Sequence, residues 1–364
     1  MLAQKGESGK SNNGELNAAI KYLRADAALR QSCPLPQEGW TKAEESIRQP
    51  LSKEDDQLVA CAAEALTEFE HGASIPRCDW QVSVEDGPFA NTAHRGAVRE
   101  LVATAALRAR LRFRDGDMPG AIADLVAGLS ASHHLSQDGS IASVLFSFRI
   151  EDEISEVLSQ GLGQMTPLEA HSLQMGLSNL PKGYSVHEAF ESEKLARNDI
   201  RDLAVRAHSP DELKKLLADL PALKDEPQIA SQILASCGGS VPGVLSCIDS
   251  QTTFYRRWSS RFELPPEQFE KEFKADFSAA GSQNGVVAFF TPSLPRLRWA
   301  EAYADTRRVL VLAAVAVKQQ GVQALAQFPD PYDGQPFQYL QVGNGFQLQS
   351  TLKQNGKALA FSVP

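Results

Sequence analysis

The sequence predicts a mainly α-helical protein, a right-handed α-α superhelix that ends in a small antiparallel β meander. Three observations predict this fold. Apolar residues recur at helical spacing through most of the 364-residue chain. Short polar capping signals precede many of these apolar runs. After Pro329 the pattern changes to short alternating runs separated by Gly and Asn, which is typical of β-hairpins.

These patterns divide the chain into three predicted parts. Residues 1–12 are polar, and we expect them to be flexible. Residues 13–328 form the helical array, and residues 329–364 form the β meander. A three-stranded ribbon is barely stable alone, so we expect the meander to pack on the last long helix. Its apolar side chains alternate with polar neighbours at Phe337, Tyr339, Phe346 and Leu348.

Local signals mark the starts of several helices. In a capping box, a Ser or Thr side chain and an acid three residues later satisfy free backbone N–H groups at a helix start. Such signals predict helices that begin after Ser52, Thr166, Ser185 and Ser209, and Asp138 is expected to cap another helix.

The first helix is predicted in the stretch GELNAAIKYLRADAALR, residues 14–30. Its apolar residues fall on one face at helical spacing. We expect that face to enter the core, with the side chains of Leu16, Ala19, Ile20, Leu23 and Ala27.

Residues 106–129, ALRARLRFRDGDMPGAIADLVAGL, resemble one unit of a tetratricopeptide-type helical repeat. Ala109 stands at the small position of the first helix, and Gly116 lies in the turn. Arg112 departs from the pattern, where an aromatic residue or Leu is usual. The chain contains one convincing copy, whereas a solenoid needs about three stacked units, so we expect one α-α hairpin within a degenerate array. The second helix offers a packing face of Ala121, Leu125, Gly128 and Leu129.

The resemblance extends to a broad group of uncharacterised bacterial proteins. Its landmarks here are LNAAIKYLRADAAL, GASIPRCDWQVSVEDGP, RARLRFRDGDMPGAIADLVAGLSASHHL, AFESEKLARNDI and DPYDGQPFQYLQVGNGFQLQS. Proteins of this group are mostly helical and typically exported or membrane-anchored, and the resemblance implies no activity. The C-terminal tail also resembles the end of type II secretion pseudopilins, but the long apolar helix that opens those proteins is missing here.

Charge and hydropathy exclude some partners. The net charge of −9 and the pI of about 5.4 argue against nucleic acid or an anionic membrane as the main partner, because both need a basic face. The longest apolar run, 309–317, has about half the length needed to span a bilayer. On a helix, the local group of arginines spreads around the axis, so we expect a solvated face for Arg108, Arg110, Arg112 and Arg114.

The chain contains five cysteines and no C-x-x-C pair, which argues against a zinc ribbon or a thioredoxin-type site. A bridge such as Cys61–Cys78 is conceivable, but we favour buried free thiols. The opening MLAQKGESGKSNNGE is suggestive of the remainder of a signal-cleavage site. We therefore expect an exported protein of the periplasm or cell envelope, with a cytoplasmic location as the alternative.

The first candidate site lies in the long non-helical stretch of residues 72–90. Asp79, Glu85 and Asp86 flank Trp80, and paired carboxylates beside an aromatic ring can perform acid–base sugar chemistry. The alternative is that Trp80 anchors the loop on the core while the acids cap backbone groups or face water. We favour the anchor.

The second candidate is the charged segment at residues 188–199. Glu188 and Glu191 share a helix face, and Glu193 can pair with Arg197 four residues later, close to Asp199. If this face points inward, it forms a polar groove. A salt-bridged outer face is the favoured alternative.

We expect no metal and no cofactor. His133 and His134 are adjacent, so on a helix they point about 100° apart and do not readily face one ion. We expect one buried, hydrogen-bonded imidazole and one at the surface. Glu68 and His71 are spaced like two metal ligands, but we expect a solvated helix end there. Asp330 and Asp333 could bind calcium, but we expect an ordinary β-turn.

Function is predicted mainly by exclusion. The chain lacks G-x-S-x-G, the Rossmann glycine pattern and H-E-x-x-H. We expect a noncatalytic helical-repeat scaffold or binding protein for a protein or peptide partner in the bacterial envelope. One alternative is a hydrolase that uses carboxylates of the 79–86 loop or the 188–199 helix. Another is a secretion-related structural subunit, suggested by the tail.

Overall fold

Helices make up most of the described chain, and three strands follow them. The computed structural model describes residues 17–33, 39–82, 93–196, 198–219, 228–281, 284, 286–287 and 294–364. The helices are α1 Ala18–Ser32, α2 Gly39–Arg48, α3 Lys53–Cys61, α4 Ala63–Ala73, α5 Ala93–Asp115, α6 Met118–Ser136, α7 Ile141–Leu162, α8 Pro167–Ser178, α9 Val186–Ala196, α10 Asn198–Arg206, α11 Pro210–Ala218, α12 Gln228–Ser236, α13 Val241–Ser259, α14 Pro266–Gly281 and α15 Leu294–Gln320. A 3-10 turn at Val322–Gln327 leads to β1 Gln338–Val342, β2 Gly345–Gln354 and β3 Lys357–Val363. The predicted mainly α fold with a small C-terminal meander is confirmed.

The predicted capping boxes form at Ser52, Thr166 and Ser185, whereas Ser209 caps its helix and Glu212 accepts from the His208 N–H instead. The backbone N–H of Thr166 donates to the Glu169 carboxylate at 2.7 Å, and the Glu169 N–H donates back to Thr166 Oγ1 at 3.3 Å. Ser185 and Glu188 make the same reciprocal pair at the start of α9. These bonds satisfy N–H groups that have no partner inside the helix. At α7 the cap is Ser140 rather than Asp138, which instead accepts from the Ser140 N–H at 2.8 Å.

Helices α5 and α6 form the predicted α-α hairpin. Gly116 turns the chain with a φ of +82°, a conformation that costs glycine little. Farther along α6, Gly128 lets the neighbouring helix approach, because a Cβ there would stand 2.8 Å from the Ile154 side chain of α7. The contacts of this hairpin continue onto α7, while α15 packs on both α7 and α8. The right-handed path of a superhelix stays a prediction.

The expected solvated face of arginines on α5 is wrong. Arg108 donates to both Asp124 on α6 and Glu70 on α4, and its side chain is mostly buried. Arg112 donates to the same Asp124 carboxylate at 2.8 Å. Burial raises the pKa of Asp124 to about 6, although both arginines partly offset that effect. Arg110 and Arg114 also have partners on other elements, namely Gln160 and Asp56.

Helix α1 buries a face that shares Ala19 with the predicted one but not Leu23 or Ala27, and Leu16 lies outside the described residues. Leu23 is 52% exposed, whereas Tyr22 is fully buried. The Tyr22 hydroxyl is hydrogen-bonded to His134 Nδ1 at 2.8 Å, which compensates its burial. The core-facing side chains are Ala18, Ala19, Tyr22, Ala25 and Leu29.

A disulfide joins Cys33, just after α1, to Cys61 at the end of α3. Their Cα atoms lie 5.5 Å apart, within the range a disulfide requires. The suggested Cys61–Cys78 bridge and the favoured reading of free thiols are therefore both wrong for Cys61. Cys78 is a buried free thiol, and its burial raises its pKa.

The three strands form an antiparallel sheet in the order β1-β2-β3. Leu348 pairs with Tyr339 on one side and with Phe361 on the other. Alternate residues of β2 are buried, and β2 and β3 pack on α15. This face joins the same hydrophobic cluster as α1 and α5–α8, through Phe346, Leu348, Leu352, Phe361 and Val363.

Two long helices, α7 and α15, connect the hydrophobic clusters. Ile154 of α7 and Leu310 of α15 belong to the cluster shared with α1 and the sheet. Phe148 and Leu297 of the same two helices belong to an aromatic cluster with α9, α13 and α14. The junction of these clusters contains the pocket described below. Among the described helices, none is by itself long and apolar enough to span a membrane; only the α12–α13 pair, bent by 84°, meets those measures jointly.

Candidate functional site

A pocket of about 250 Å³ lies between α6, α7, α8 and α15. Helical spacing supplies its lining: Phe148, Glu151 and Ser155 follow one side of α7, and Ala304 and Arg308 follow one side of α15. This volume is just below the roughly 300–1,000 Å³ of pockets for drug-sized ligands, so it suits an apolar group of side-chain size. The apolar part of the lining is Leu129, Phe148, Ile154, Leu158, Leu177, Leu180, Ala304, Val311 and Leu312.

A buried ion pair forms one edge of this pocket. Arg308 donates to both carboxylate oxygens of Glu151, from Nε at 2.6 Å and from Nη2 at 2.9 Å. It also donates to Asp305 at 2.9 Å and lies over the Phe148 ring. Burial opposes the charge on Glu151, but hydrogen bonds from His133 and Arg308 outweigh it and lower the pKa of Glu151. Every nitrogen of the Arg308 guanidinium therefore has a carboxylate partner.

His133 forms a second edge. Its Nδ1 lies 2.7 Å from the Pro181 carbonyl oxygen, and its Nε2 lies 3.5 Å from Glu151 Oε1. Both ring nitrogens thus lie near oxygen acceptors. The expected surface imidazole is mostly buried, with 16% of its side chain exposed.

His134 is the buried imidazole that the sequence predicts. Burial, followed by the charge of its neighbour His133, lowers the pKa of His134 to about 4, so the ring is neutral at pH 7. The two rings serve separate contacts. Among the described residues no three His, Cys, Asp or Glu side chains are grouped so that they could hold a metal ion.

The third edge is the pair Arg307–Asp152. Arg307 Nε contacts Asp152 Oδ1, and the described structure gives neither side chain another hydrogen bond or ion pair. Asp152 is 48% exposed, whereas Arg307 is 22% exposed. Burial and the charge of Glu151 raise the pKa of Asp152, although Arg307 opposes the shift. Unlike Arg308, Arg307 makes no hydrogen bond from its terminal amino groups to any residue that the structure describes.

The two described loop candidates, Asp79 and Trp80, do not line this pocket. Trp80 stacks on His94 at 4.7 Å between ring centroids, and its Nε1 donates to the His134 carbonyl at 2.7 Å. Asp79 is exposed and accepts from the Gln81 N–H at 2.9 Å. Glu85 and Asp86 lie outside the described residues. Trp80 therefore contacts the core as an anchor does, and the structure does not describe the paired carboxylates.

The charged α9 candidates also separate. Glu188 caps its own helix and pairs with Lys182. Glu191 accepts a hydrogen bond from Ser259 on α13. Arg197, with the side chains of Glu193 and Asp199, lies outside the described residues. The described part of this segment does not bring Glu188 and Glu191 into one site.

Ser259, His187 and Glu191 carry the residue types of a nucleophilic triad, but their bonding differs from one. Ser259 Oγ lies 3.1 Å from His187 Nε2, and it also bonds the Glu191 carboxylate directly. In a triad the carboxylate orients the imidazole, and the imidazole alone activates the hydroxyl. Ser259 is 5% exposed. The cluster is a partly buried hydrogen-bond network between α9 and α13.

The two metal alternatives have ordinary structural partners. Asp330 accepts from the Tyr332 N–H at 2.9 Å, and Asp333 accepts from the Gln335 N–H at 2.8 Å, as in Asx turns. Their remaining oxygens accept from Ser350 and Thr351 of β2. Glu68 and His71 make one exposed contact of 3.8 Å at the end of α4.

Sequence reasoning missed the pocket's polar side chains. Their signal was present as charged residues beside apolar ones at i, i+3 and i+4 spacing, in FSFRIEDEI of α7 and ADTRRVLVL of α15. A single helix does not reveal which acid meets which arginine. No family model, curated protein or solved structure matches the chain.

Proposed function

We propose that this chain is a noncatalytic helical binding protein that takes an apolar anchor side chain of a peptide or protein partner into the pocket between α6, α7, α8 and α15. The observation that carries the proposal is an apolar cavity of about 250 Å³ with a charged edge. Binding pockets combine apolar walls with a few placed polar groups in this way. An anchor residue in such a pocket is a common centre of binding energy.

The described carboxylates give no support to the hydrolase alternative. That alternative names the 79–86 loop and the 188–199 helix, whose described acids have separate structural partners: Asp79 accepts from the Gln81 N–H, Glu188 caps its own helix, and Glu191 accepts from Ser259. A general base needs a carboxylate free to reach a substrate proton, and a nucleophile needs an adjacent base. The secretion alternative is suggested by the resemblance of the tail alone.

We place the protein in the bacterial envelope. The Cys33–Cys61 disulfide supports this location, because disulfides persist mainly in oxidising compartments such as the periplasm. The relation to the exported helical proteins named above, and the degenerate repeat character of the α5–α6 hairpin, belong to the same proposal. The net charge of −9 supports a partner that is not an anionic polymer.

The test uses blocked tripeptides, acetyl-Ala-X-Ala-amide with X as Leu, Phe or Ala, titrated into the purified full chain by methyl NMR. Burying a Leu or Phe side chain contributes about 1.5–3 kcal/mol, so those peptides should bind at least tenfold more tightly than the Ala peptide. Ala304→Leu fills the pocket and should abolish the difference. Ala27→Leu adds the same atoms at an exposed position of α1 and should preserve it. Equal binding of the three peptides would refute the proposal.

A further inference from the structure

Two neighbouring arginines of α15, Arg307 and Arg308, line the pocket but differ in how many of their guanidinium nitrogens have a partner. All the guanidinium nitrogens of Arg308 bond to Glu151 or Asp305. Arg307 contacts its one described partner, Asp152, through Nε, which leaves its two terminal amino groups for another acceptor. Arg308 therefore holds the pocket together, whereas Arg307 has donors to offer.

Asp152 likewise has a described partner for only one of its two carboxylate oxygens. Its Oδ1 contacts Arg307 Nε, and the described structure assigns no donor to its Oδ2. Asp152 follows Glu151 on α7 and shares the pocket lining with Arg307. The edge of an apolar cavity thus presents a pair of donors and one acceptor side by side, from two helices that the Arg308–Glu151 pair links.

The geometry points to a peptide backbone as the ligand of this pair. We propose, on the basis of the proposed function, that Arg307 donates from its terminal amino groups to a backbone carbonyl of the partner. Asp152 accepts from a backbone N–H next to it, while the anchor side chain enters the pocket. A peptide group carries one acceptor and one donor a few atoms apart, which matches this arrangement.

Charge distinguishes this ligand from the other small ones that fit the cavity. Arg307 and Asp152 together are neutral, so a neutral peptide group adds no uncompensated charge. A free carboxylate would be attracted by Arg307 but repelled by Asp152, and the group formed by Arg308, Glu151 and Asp305 adds one net negative charge nearby. On the α6 side, His133 is occupied by Pro181 and Glu151. An apolar alcohol fills the cavity without using the pair.

The test compares probes that differ in the backbone. The probes are acetyl-Ala-Leu-Ala-amide, the same peptide N-methylated at Leu or at the following Ala, 4-methylpentanoate and 4-methyl-1-pentanol. With the unchanged protein, one of the two N-methylated peptides should bind about tenfold more weakly, because it lacks the N–H that Asp152 accepts. The carboxylate should bind no better than the alcohol.

Variants of Arg307 and Asp152 then show which side chain accounts for the loss of peptide affinity. Arg307→Gln and Arg307→Lys remove the guanidinium fork, and Asp152→Ala removes the acceptor. Each should weaken the Leu peptide about tenfold and leave the alcohol unchanged. In Asp152→Ala the penalty for N-methylation should disappear, which is the signature of a direct coupling. Arg201→Gln breaks a similar single Arg–Asp contact, to Asp249, outside the pocket lining and should change nothing.

The outcomes separate this inference from the proposed function. If the Leu peptide binds better than the Ala peptide but neither N-methylation nor the pair variants matter, the backbone inference is wrong and the apolar pocket stands. If Leu and Ala peptides bind alike, the proposed function itself is wrong. The N-methyl comparison uses the unchanged chain, so it decides the matter even where a variant fails to fold.

Discussion

Arg308 and Glu151 lie 157 residues apart in the chain and form two hydrogen bonds of 2.6 and 2.9 Å across the contact between α15 and α7. Glu151 is almost wholly buried, with 7% of its side chain exposed. Removing one partner of such a pair leaves a buried charge without compensation, which is costly.

We therefore expect Arg308→Met to lower the free energy of unfolding by about 3 kcal/mol, measured by urea denaturation. Adding Glu151→Leu in the same chain should restore most of the loss, because the unpaired charge is then removed as well. Arg201→Met breaks an exposed pair and should change stability by less than about 0.5 kcal/mol. A double variant as unstable as Arg308→Met would contradict this account.

His134 should make stability depend on pH between about 6.5 and 4. The pKa of His134 in the folded protein is about 4, below the ordinary value of 6.5. In this window the unfolded chain binds a proton that the folded one does not, so the contribution of His134 to stability falls as the pH falls. The drop should reach about 3 kcal/mol at pH 4.

The measurement is the difference in unfolding free energy between the unchanged protein and His134→Asn at several pH values. Taking the difference cancels other groups, including Asp124, whose raised pKa of about 6 acts in the opposite direction. The ring's NMR signals should titrate with a midpoint near 4. A midpoint near 6.5 would show that the ring is not desolvated as described.

The Cys33–Cys61 disulfide should contribute measurably to stability. It closes a segment of 28 residues, which in the chain-entropy account stabilises the folded state by about 3–4 kcal/mol. Dithiothreitol should lower the unfolding free energy of the unchanged protein by this amount. A double Cys33→Ala and Cys61→Ala variant should be equally destabilised and insensitive to the reductant, whereas Cys247→Ala should still respond to it.

Gly161 on α7 is predicted to tolerate no side chain opposite Phe113 of α5. A Cβ at Gly161 would overlap the Phe113 ring, which is itself buried. Gly161→Ala should cost about 1–3 kcal/mol by overpacking. Phe113→Leu makes room, so the two substitutions together should cost less than the sum of their separate effects. If the two losses of unfolding free energy simply add, the clash between Gly161→Ala and Phe113 is not the cause of the destabilisation.

The local parts of the fold could be predicted, because they depend on neighbours in the sequence. The cap at Thr166 needs only Glu169 three residues later, and the turn at Gly116 needs only its own backbone freedom. The meander followed from alternation and from its turn residues in the same way.

The buried polar contacts could not be predicted, because their partners lie far away in the chain. Tyr22 enters the core instead of Leu23 since its hydroxyl meets His134, 112 residues later. Arg308 finds Glu151 in the same manner, and so the pocket edge remained hidden. Hydrophobicity along the sequence does not indicate which distant polar side chains will meet in the core.

The shared core of α1 and the C-terminal strands also has a consequence for synthesis. Leu348 and Phe361 belong to the cluster that contains Leu29 and Leu101, so the ribosome delivers the N-terminal members of that cluster long before the C-terminal ones. A nascent chain therefore cannot complete its native packing until residues 345–363 have emerged. Until then the earlier members of the cluster lack the apolar cover that β2 and β3 provide.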